Sequence, residues 1–296
     1  MLRLRLITGP LLIALLLGLT WLDVYAAGVW ATPLGIMLVV LSALFGALGG
    51  AELTALMQSA TRGSTLSRLP GALGAAGMTV AIWCCSQEQG CASLVLLLIP
   101  LAAALIALFI NALQRRCEGA LAAAGAAVLS SIWVGAGLGM LLAMLHLAPT
   151  PVGGAWLVLM VVLVTKFADI GAYATGMLMG RHKLIPWLSP GKTWEGVAGG
   201  VLCSVVVALV LFQALLHDPT VDWTPANVPL WQVGLLGALL AIGGLIGDLA
   251  MSMVKRDAQA KDSGTLLPGM GGVLDVLDSL LITGPLAWAL VTLAGG

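Results

Sequence analysis

The chain has 296 residues, 60% of them apolar and only 9% charged, with no net charge and a mean hydropathy of +1.07. Soluble domains carry about 25% charged residues, so this composition excludes a soluble protein and predicts an integral membrane one. The longest hydrophilic stretch is about 20 residues, too short to build a soluble domain with its own core.

A helix needs roughly 20 apolar residues to cross a hydrocarbon layer of about 30 Å. Nine stretches qualify, at 7–25, 33–51, 71–86, 93–113, 119–146, 155–179, 197–216, 230–251 and 273–293. The predicted fold is therefore an all-α polytopic membrane protein of about nine transmembrane helices. A cleavable signal peptide over the first 25 residues is the weaker reading, because small-x-small sites near Ala26 are poor.

Charge placement orients these spans. Arg3 and Arg5 precede the first, Arg62 and Arg68 follow the second, and Arg115 and Arg116 follow the fourth. Arg181, Lys183 and Lys192 follow the sixth, and Lys255, Arg256 and Lys261 follow the eighth. Twelve of the 13 basic residues thus fall on one side, while the opposite loops hold Asp23, Glu88, Asp218 and Asp222 with no Lys or Arg. The positive-inside rule then puts the N-terminus and the basic loops in the cytoplasm and the C-terminus outside.

The first 150 residues are predicted to be packing and lipid-facing helices 1–5. Small-residue runs at 46–50 and 135–139 suit close helix contact. Glu52 and Glu118, at cytoplasmic helix ends, are expected to be solvated or interfacial carboxylates. Cys84, Cys85, Cys91, Cys117 and Cys203 form no CxxC pair or zinc spacing. They read as small apolar fillers, although the first three lie near the outer face, where a disulfide is chemically feasible. His146, His182 and His217 are too scattered for imidazole metal chemistry.

From Thr165 onward the texture changes, and residues 151–296 are predicted to be the catalytic region, helices 6–9 with cytoplasmic loops 180–196 and 252–272. Lys166 and Asp169 stand at i and i+3 inside span six. A merely buried pair is costly, so Asp169 is expected to face a water-filled, ligand-binding cavity. The loop that follows reads Ser189-Pro190-Gly191-Lys192-Thr193-Trp194-Glu195-Gly196. Its Gly-Lys-Thr is no P-loop, because Pro186 stands where the first glycine is required. What remains is a lysine, a glutamate and hydroxyls at the start of span seven, where free helix N–H groups attract anions.

Asp248 closes span eight. The loop after it carries Ser252, Lys255, Arg256, Lys261 and Asp262, with Gly264, Gly269, Gly271 and Gly272 as points where backbone amides can approach a ligand. Asp275 and Asp278, three apart, would share one helix face with Cβ atoms about 5–6 Å apart. Three carboxylates without His or Cys partners suit Mg²⁺, which prefers oxygen ligands. Charged groups at membrane depth mark a working site by default.

These residues resemble the phosphatidate cytidylyltransferase family, the CDP-diacylglycerol synthases. One block runs from Gly247-Asp248 through Ser252, Lys255-Arg256, Lys261-Asp262-Ser263-Gly264, Leu267-Pro268-Gly269 and Gly271-Gly272 to Asp275 and Asp278-Ser279. The other comprises Asp169, Ala172-Tyr173, Gly180-Arg181-His182-Lys183 and 189–196; together they cover about the last 45% of the chain. Two positions depart from the pattern: Met270 replaces the family's usual His and Val276 its usual Arg.

The resemblance implies transfer of the cytidylyl group of CTP to phosphatidate, giving CDP-diacylglycerol and pyrophosphate. Asp248, Asp275 and Asp278 would hold one or two Mg²⁺ ions, with K⁺ as an alternative occupant of a second site, and Lys192 would join them in catalysis. Ser189, Thr193, Glu195, Ser252, Lys255, Arg256, Lys261, Asp262 and Asp169 would bind substrate. The expected location is a bacterial-type inner membrane with the site facing the cytoplasm, without nucleic acid as a partner and with a homodimer as the candidate assembly. The rival readings are a CTP-dependent lipid kinase and a cation-coupled transporter using Lys166, Asp169 and Asp248 as a relay. CDP-alcohol phosphotransferases require aspartates at four-residue spacing and an Ala-Arg element that this chain lacks.

Overall fold

Long helices make up most of the described chain, interrupted by a β-hairpin segment at 180–193 and a loop at 258–273. The structure, a computed structural model, describes residues 2–30, 33–60, 67–87, 92–115, 117–216 and 228–295. Arg62, Glu88, Cys91, Arg116, His217, Asp218 and Asp222 lie outside the described residues. The helices are α1 (Leu2–Trp30), α2 (Ile36–Ala60), α3 (Leu69–Gln87), α4 (Ala92–Leu113), α5 (Ala120–Leu129), α6 (Gly137–Ala143), α7 (Pro151–Met179), α8 (Trp194–Leu216), α9 (Leu230–Asp257), α10 (Leu274–Leu277) and α11 (Leu280–Gly295). A π-helical turn, Ser130–Ala136, joins α5 to α6, and two short strands, β1 (Lys183–Ile185) and β2 (Ser189–Thr193), lie between α7 and α8.

Among the described residues, eight helical stretches are long and apolar enough to cross a membrane, and α1 adds a shorter apolar run, Ile13–Val29. The protein is an all-α polytopic membrane protein. The fifth span, long in the sequence, is continuous from Ala120 to His146 because the π turn carries the helix through its middle. A π turn admits one extra residue without breaking the helix.

The chain divides into two units, Met1–Ala143 with Val254–Leu277 and Met144–Met253 with Asp278–Gly296. Val254–Leu277 folds with the N-terminal helices, and the chain changes unit between Leu277 and Asp278.

In the first unit, α2 packs on α3 through small residues. A Cβ on Gly50 would stand 2.4 Å from Gly71 O, so only glycine permits this backbone approach. Gly135 lies against Ala75 in the same way: a Cβ there would stand 2.5 Å from the Ala75 carbonyl oxygen. Leu38, Leu53, Met78 and Val134 fill the core around these contacts. Asp23, expected merely to populate an outer loop, is buried and accepts from Met37 N and Leu38 N at 2.9 Å each. It caps α2, whose first N–H groups have no partner within the helix. Cys85 is disulfide-bonded, which corrects the apolar-filler reading for that residue, whereas Cys84, Cys117 and Cys203 are free.

In the second unit, α7 packs along α8 and touches α11. Thr150 caps α7, accepting from Gly153 N at 3.1 Å, with Pro151 at the first helical position. Thr165 on α7 donates to Thr283 on α11 at 3.1 Å, both hydroxyls being fully buried. Such interhelical bonds satisfy polar groups that hydrocarbon cannot.

Candidate functional site

The second unit gathers three aspartates, Asp169, Asp248 and Asp278, with two lysines, Lys166 and Lys192. Lys166 Nζ lies 3.6 Å from Asp169 Oδ2 on α7. Ser279, in the turn before α11, places its Oγ 3.1 Å from Asp169 Oδ2 and 3.1 Å from Asp278 Oδ1. One hydroxyl proton serves either carboxylate at a time, so Ser279 couples the two acids. Its backbone N–H also donates to Asp278 Oδ1 at 2.7 Å. A Cβ at Gly247 would meet Asp278 O at 2.5 Å, so glycine lets α9 cross this turn closely. The next residue, Asp248, lies with Asp169 and Lys166 within electrostatic reach of Asp278.

Asp248 Oδ2 is 2.8 Å from Lys192 Nζ. That Nζ is buried and makes its ion pair off the hydrogen-bonding axis. Lys192 is delivered by a β-hairpin where the sequence suggested an irregular loop: β1 and β2 run antiparallel, pairing Lys183 with Thr193 and Ile185 with Ser189. The hairpin ends by capping α8, as Thr193 Oγ1 accepts from Gly196 N at 3.1 Å. Glu195 accepts from His182 N at 3.2 Å and meets His182 Nδ1 at 2.7 Å. Thr193 and Glu195 therefore hold the hairpin's base together, and Ser189 opens its second strand.

The remaining predicted residues belong to the first unit, apart from Ser252. Ser252, Lys255 and Arg256 are not in a loop, because α9 runs on to Asp257. Lys255 Nζ reaches Asp275 Oδ1 at 2.7 Å, with side chains 13% and 8% exposed. Asp275 Oδ2 accepts from Ser263 N at 2.7 Å, Gly272 N at 2.9 Å and Ser263 Oγ at 3.0 Å. Arg256 Nη1 donates to Ala260 O at 3.3 Å, closing the end of α9. Lys261 and Asp262 are exposed.

Asp275 and Asp278 do not share a helix face. The single turn α10 ends at Leu277, and Asp278 sits in the turn that leads into α11. The break separates their partners: Asp275 serves Lys255 and the loop before α10, and Asp278 serves Ser279.

Sequence reasoning also missed the role of Glu52. Expected to be a solvated or interfacial carboxylate, it accepts from Val273 N at 2.9 Å, Leu274 N at 3.0 Å and Ser263 Oγ at 2.9 Å. The loop glycines follow from these two acids. A Cβ on Gly264 would come within 2.7 Å of Glu52 Oε1, one on Gly272 within 2.4 Å of Glu52 Oε2, and one on Gly271 within 2.4 Å of Asp275 Oδ2. Gly271 also sits at φ +95°, where a side chain is strained. The glycine-rich loop thus wraps the protein's own carboxylates, where the sequence suggested a ligand. An acid at the end of an otherwise apolar span was the available signal.

Among the described residues, no three His, Cys, Asp or Glu side chains are gathered closely enough to hold a metal by themselves. The donors around Asp278 are nonetheless all carboxylate and hydroxyl oxygens. These fit a hard cation such as Mg²⁺, commonly held by one or two carboxylates together with substrate phosphates.

Fold and site define a helical membrane protein whose second unit carries the acid–lysine pairs Lys166–Asp169 and Lys192–Asp248. The chain belongs to the cytidylyltransferase family, whose model matches residues 7–294. It is 45% identical over 133 residues to the uncharacterized protein YnbB of Escherichia coli (strain K12), covering 45% of this chain and 41% of that one. It is 39% identical over 141 residues to a phosphatidate cytidylyltransferase of Mycobacterium bovis, covering 48% and 42%. A phosphatidate cytidylyltransferase of Staphylococcus saprophyticus is 42% identical over 142 residues, covering 48% and 51%. The chain spans about half the length of the curated relatives it matches.

Proposed function

We propose that this protein transfers the cytidylyl group of CTP to phosphatidate, releasing pyrophosphate and forming CDP-diacylglycerol at the cytoplasmic face of a bacterial inner membrane. The observation that carries the reading is the family match over residues 7–294, with relatives bearing that activity in their names. The chemistry of the second unit supports it. A phosphatidate oxygen forms a bond to the α-phosphorus of CTP as the bond from that phosphorus to the bridging oxygen breaks, and pyrophosphate leaves with the electron pair. The phosphate dianion is itself the nucleophile, so no general base is required.

Lys192 is the cation this chain offers to the phosphates. Its off-axis pairing with Asp248 leaves its N–H donors available to phosphate oxygens while the carboxylate holds it in place. A divalent cation, when bound, supplies neutralising charge for the transferring and departing phosphates. Asp278 and Asp169, both bonded to Ser279, are the residues to hold it together with substrate phosphates, while Asp248 holds Lys192. Asp275 is assigned instead to holding the 263–272 loop.

The test supplies the purified protein with phosphatidate, Mg²⁺ and CTP labelled at either the α- or the γ-phosphate. Incorporation of α-label into lipid with release of pyrophosphate is expected. Entry of γ-label into lipid would indicate a kinase, and ion movement without CTP consumption a transporter; either result overturns the proposal.

A further inference from the structure

We infer that Glu52 is a positioning residue for the family-signature loop, although it lies about 200 residues from that loop in sequence and outside both signature blocks. Three observations within the first unit converge on it. Its two carboxylate oxygens accept from Val273 N, Leu274 N and Ser263 Oγ, so one side chain of α2 holds both ends of the loop. Val273 and Leu274 lead into and open α10, whose first N–H groups have no partner within the helix, and a carboxylate is the favoured acceptor there. Finally, Gly264 and Gly272 lie where any side chain would strike this carboxylate.

Glu52 also works jointly with Asp275. Ser263 Oγ is 2.9 Å from Glu52 Oε2 and 3.0 Å from Asp275 Oδ2. With the Ser263 and Gly272 amides turned to Asp275 and the Val273 and Leu274 amides turned to Glu52, the loop is folded around two internal anions. A chain with four glycines between 264 and 272 has a high entropy when free. These bonds select one conformation, and with it the placement of the exposed Lys261 and Asp262. Glu52 does not touch substrate on this view; it acts through the loop.

The inference rests on the cytidylyltransferase reading for its activity readout, so its test has a second arm that does not. In the first arm, Glu52→Gln keeps the size but turns an amide NH₂ toward a backbone or hydroxyl donor. Misplacement of catalytic groups by about 1 Å costs on the order of a hundredfold, so kcat should fall about a hundredfold with the KM for CTP changed less than about threefold. Glu118→Gln, an exposed acid on the same unit, should match wild type. Gly264→Ala should impair the wild type, because its Cβ meets Glu52 Oε1 at 2.7 Å, yet add nothing in a Glu52→Ala background.

In the second arm, maleimide labelling of Met270→Cys in membranes should be at least about tenfold faster in the Glu52→Gln background, since a lost charge-assisted bond is worth that factor or more. Unchanged labelling, or equal cost of Gly264→Ala in both backgrounds, would overturn the inference. If the wild type transfers no cytidylyl group while labelling responds as expected, the proposed activity fails and the loop-holding role stands.

Discussion

Lys255→Met tests whether Asp275 is a strut of the loop. The Lys255 and Asp275 side chains are 13% and 8% exposed and meet at 2.7 Å. Removing one partner of a buried pair typically costs about 3–5 kcal/mol, because it strands the other charge. Here Asp275 would not be stranded, since its Oδ2 keeps the Ser263 and Gly272 amide donors and shares the Ser263 hydroxyl with Glu52. The expected cost is therefore about 2–3 kcal/mol, near the range for a hydrogen bond to a charged group. Asp275→Asn should cost more, because its amide NH₂ would point at the Ser263 and Gly272 N–H groups while Lys255 stays buried. Because the chain has two units, a global melt would mix their responses, and a local probe is the better assay. Amide exchange at Ser263 and Gly272 should accelerate about 30- to 150-fold in Lys255→Met, the rate equivalent of that cost. Acceleration below about threefold, or a smaller effect from Asp275→Asn than from Lys255→Met, would refute the reasoning.

Asp278→Asn should abolish CDP-diacylglycerol formation, measured by lipid chromatography, while the protein still inserts in membranes with wild-type helicity by circular dichroism. Thr193→Val should remove the α8 cap and lower stability by about 1 kcal/mol, read as faster exchange of the Gly196 amide that it accepts from. Ser279→Ala should uncouple Asp169 from Asp278 and raise the Mg²⁺ concentration needed for half-maximal activity, whereas Ser279→Thr should retain most of the coupling. Chelation of divalent ions should stop turnover, with Mg²⁺ restoring it; activity undiminished in excess chelator would exclude the cation.

Much was legible because hydrocarbon imposes a strict local rule: every span must be helical and apolar over a fixed length. The run from Leu94 to Leu113 could only be a span, and it folds as one helix long and apolar enough to cross a membrane. Close packing of glycine runs was readable for the same reason, as Gly50 against Gly71 shows. Where α9 would stop was not readable, since Lys255 and Arg256 look like loop residues yet suit the C-terminal turn of a helix, where cations complement the dipole.

Sequence alone determined that this is a helical membrane protein, and it showed that acids, lysines and hydroxyls concentrate after Thr165. Tertiary structure decided which acid meets which partner. Asp275 and Asp278, three residues apart, serve different units because α10 lasts a single turn, and Glu52 joins a loop about 200 residues away. The reason is physical: hydropathy is a property of each residue in its own window, whereas a hydrogen bond depends on where two distant backbones have been carried by packing.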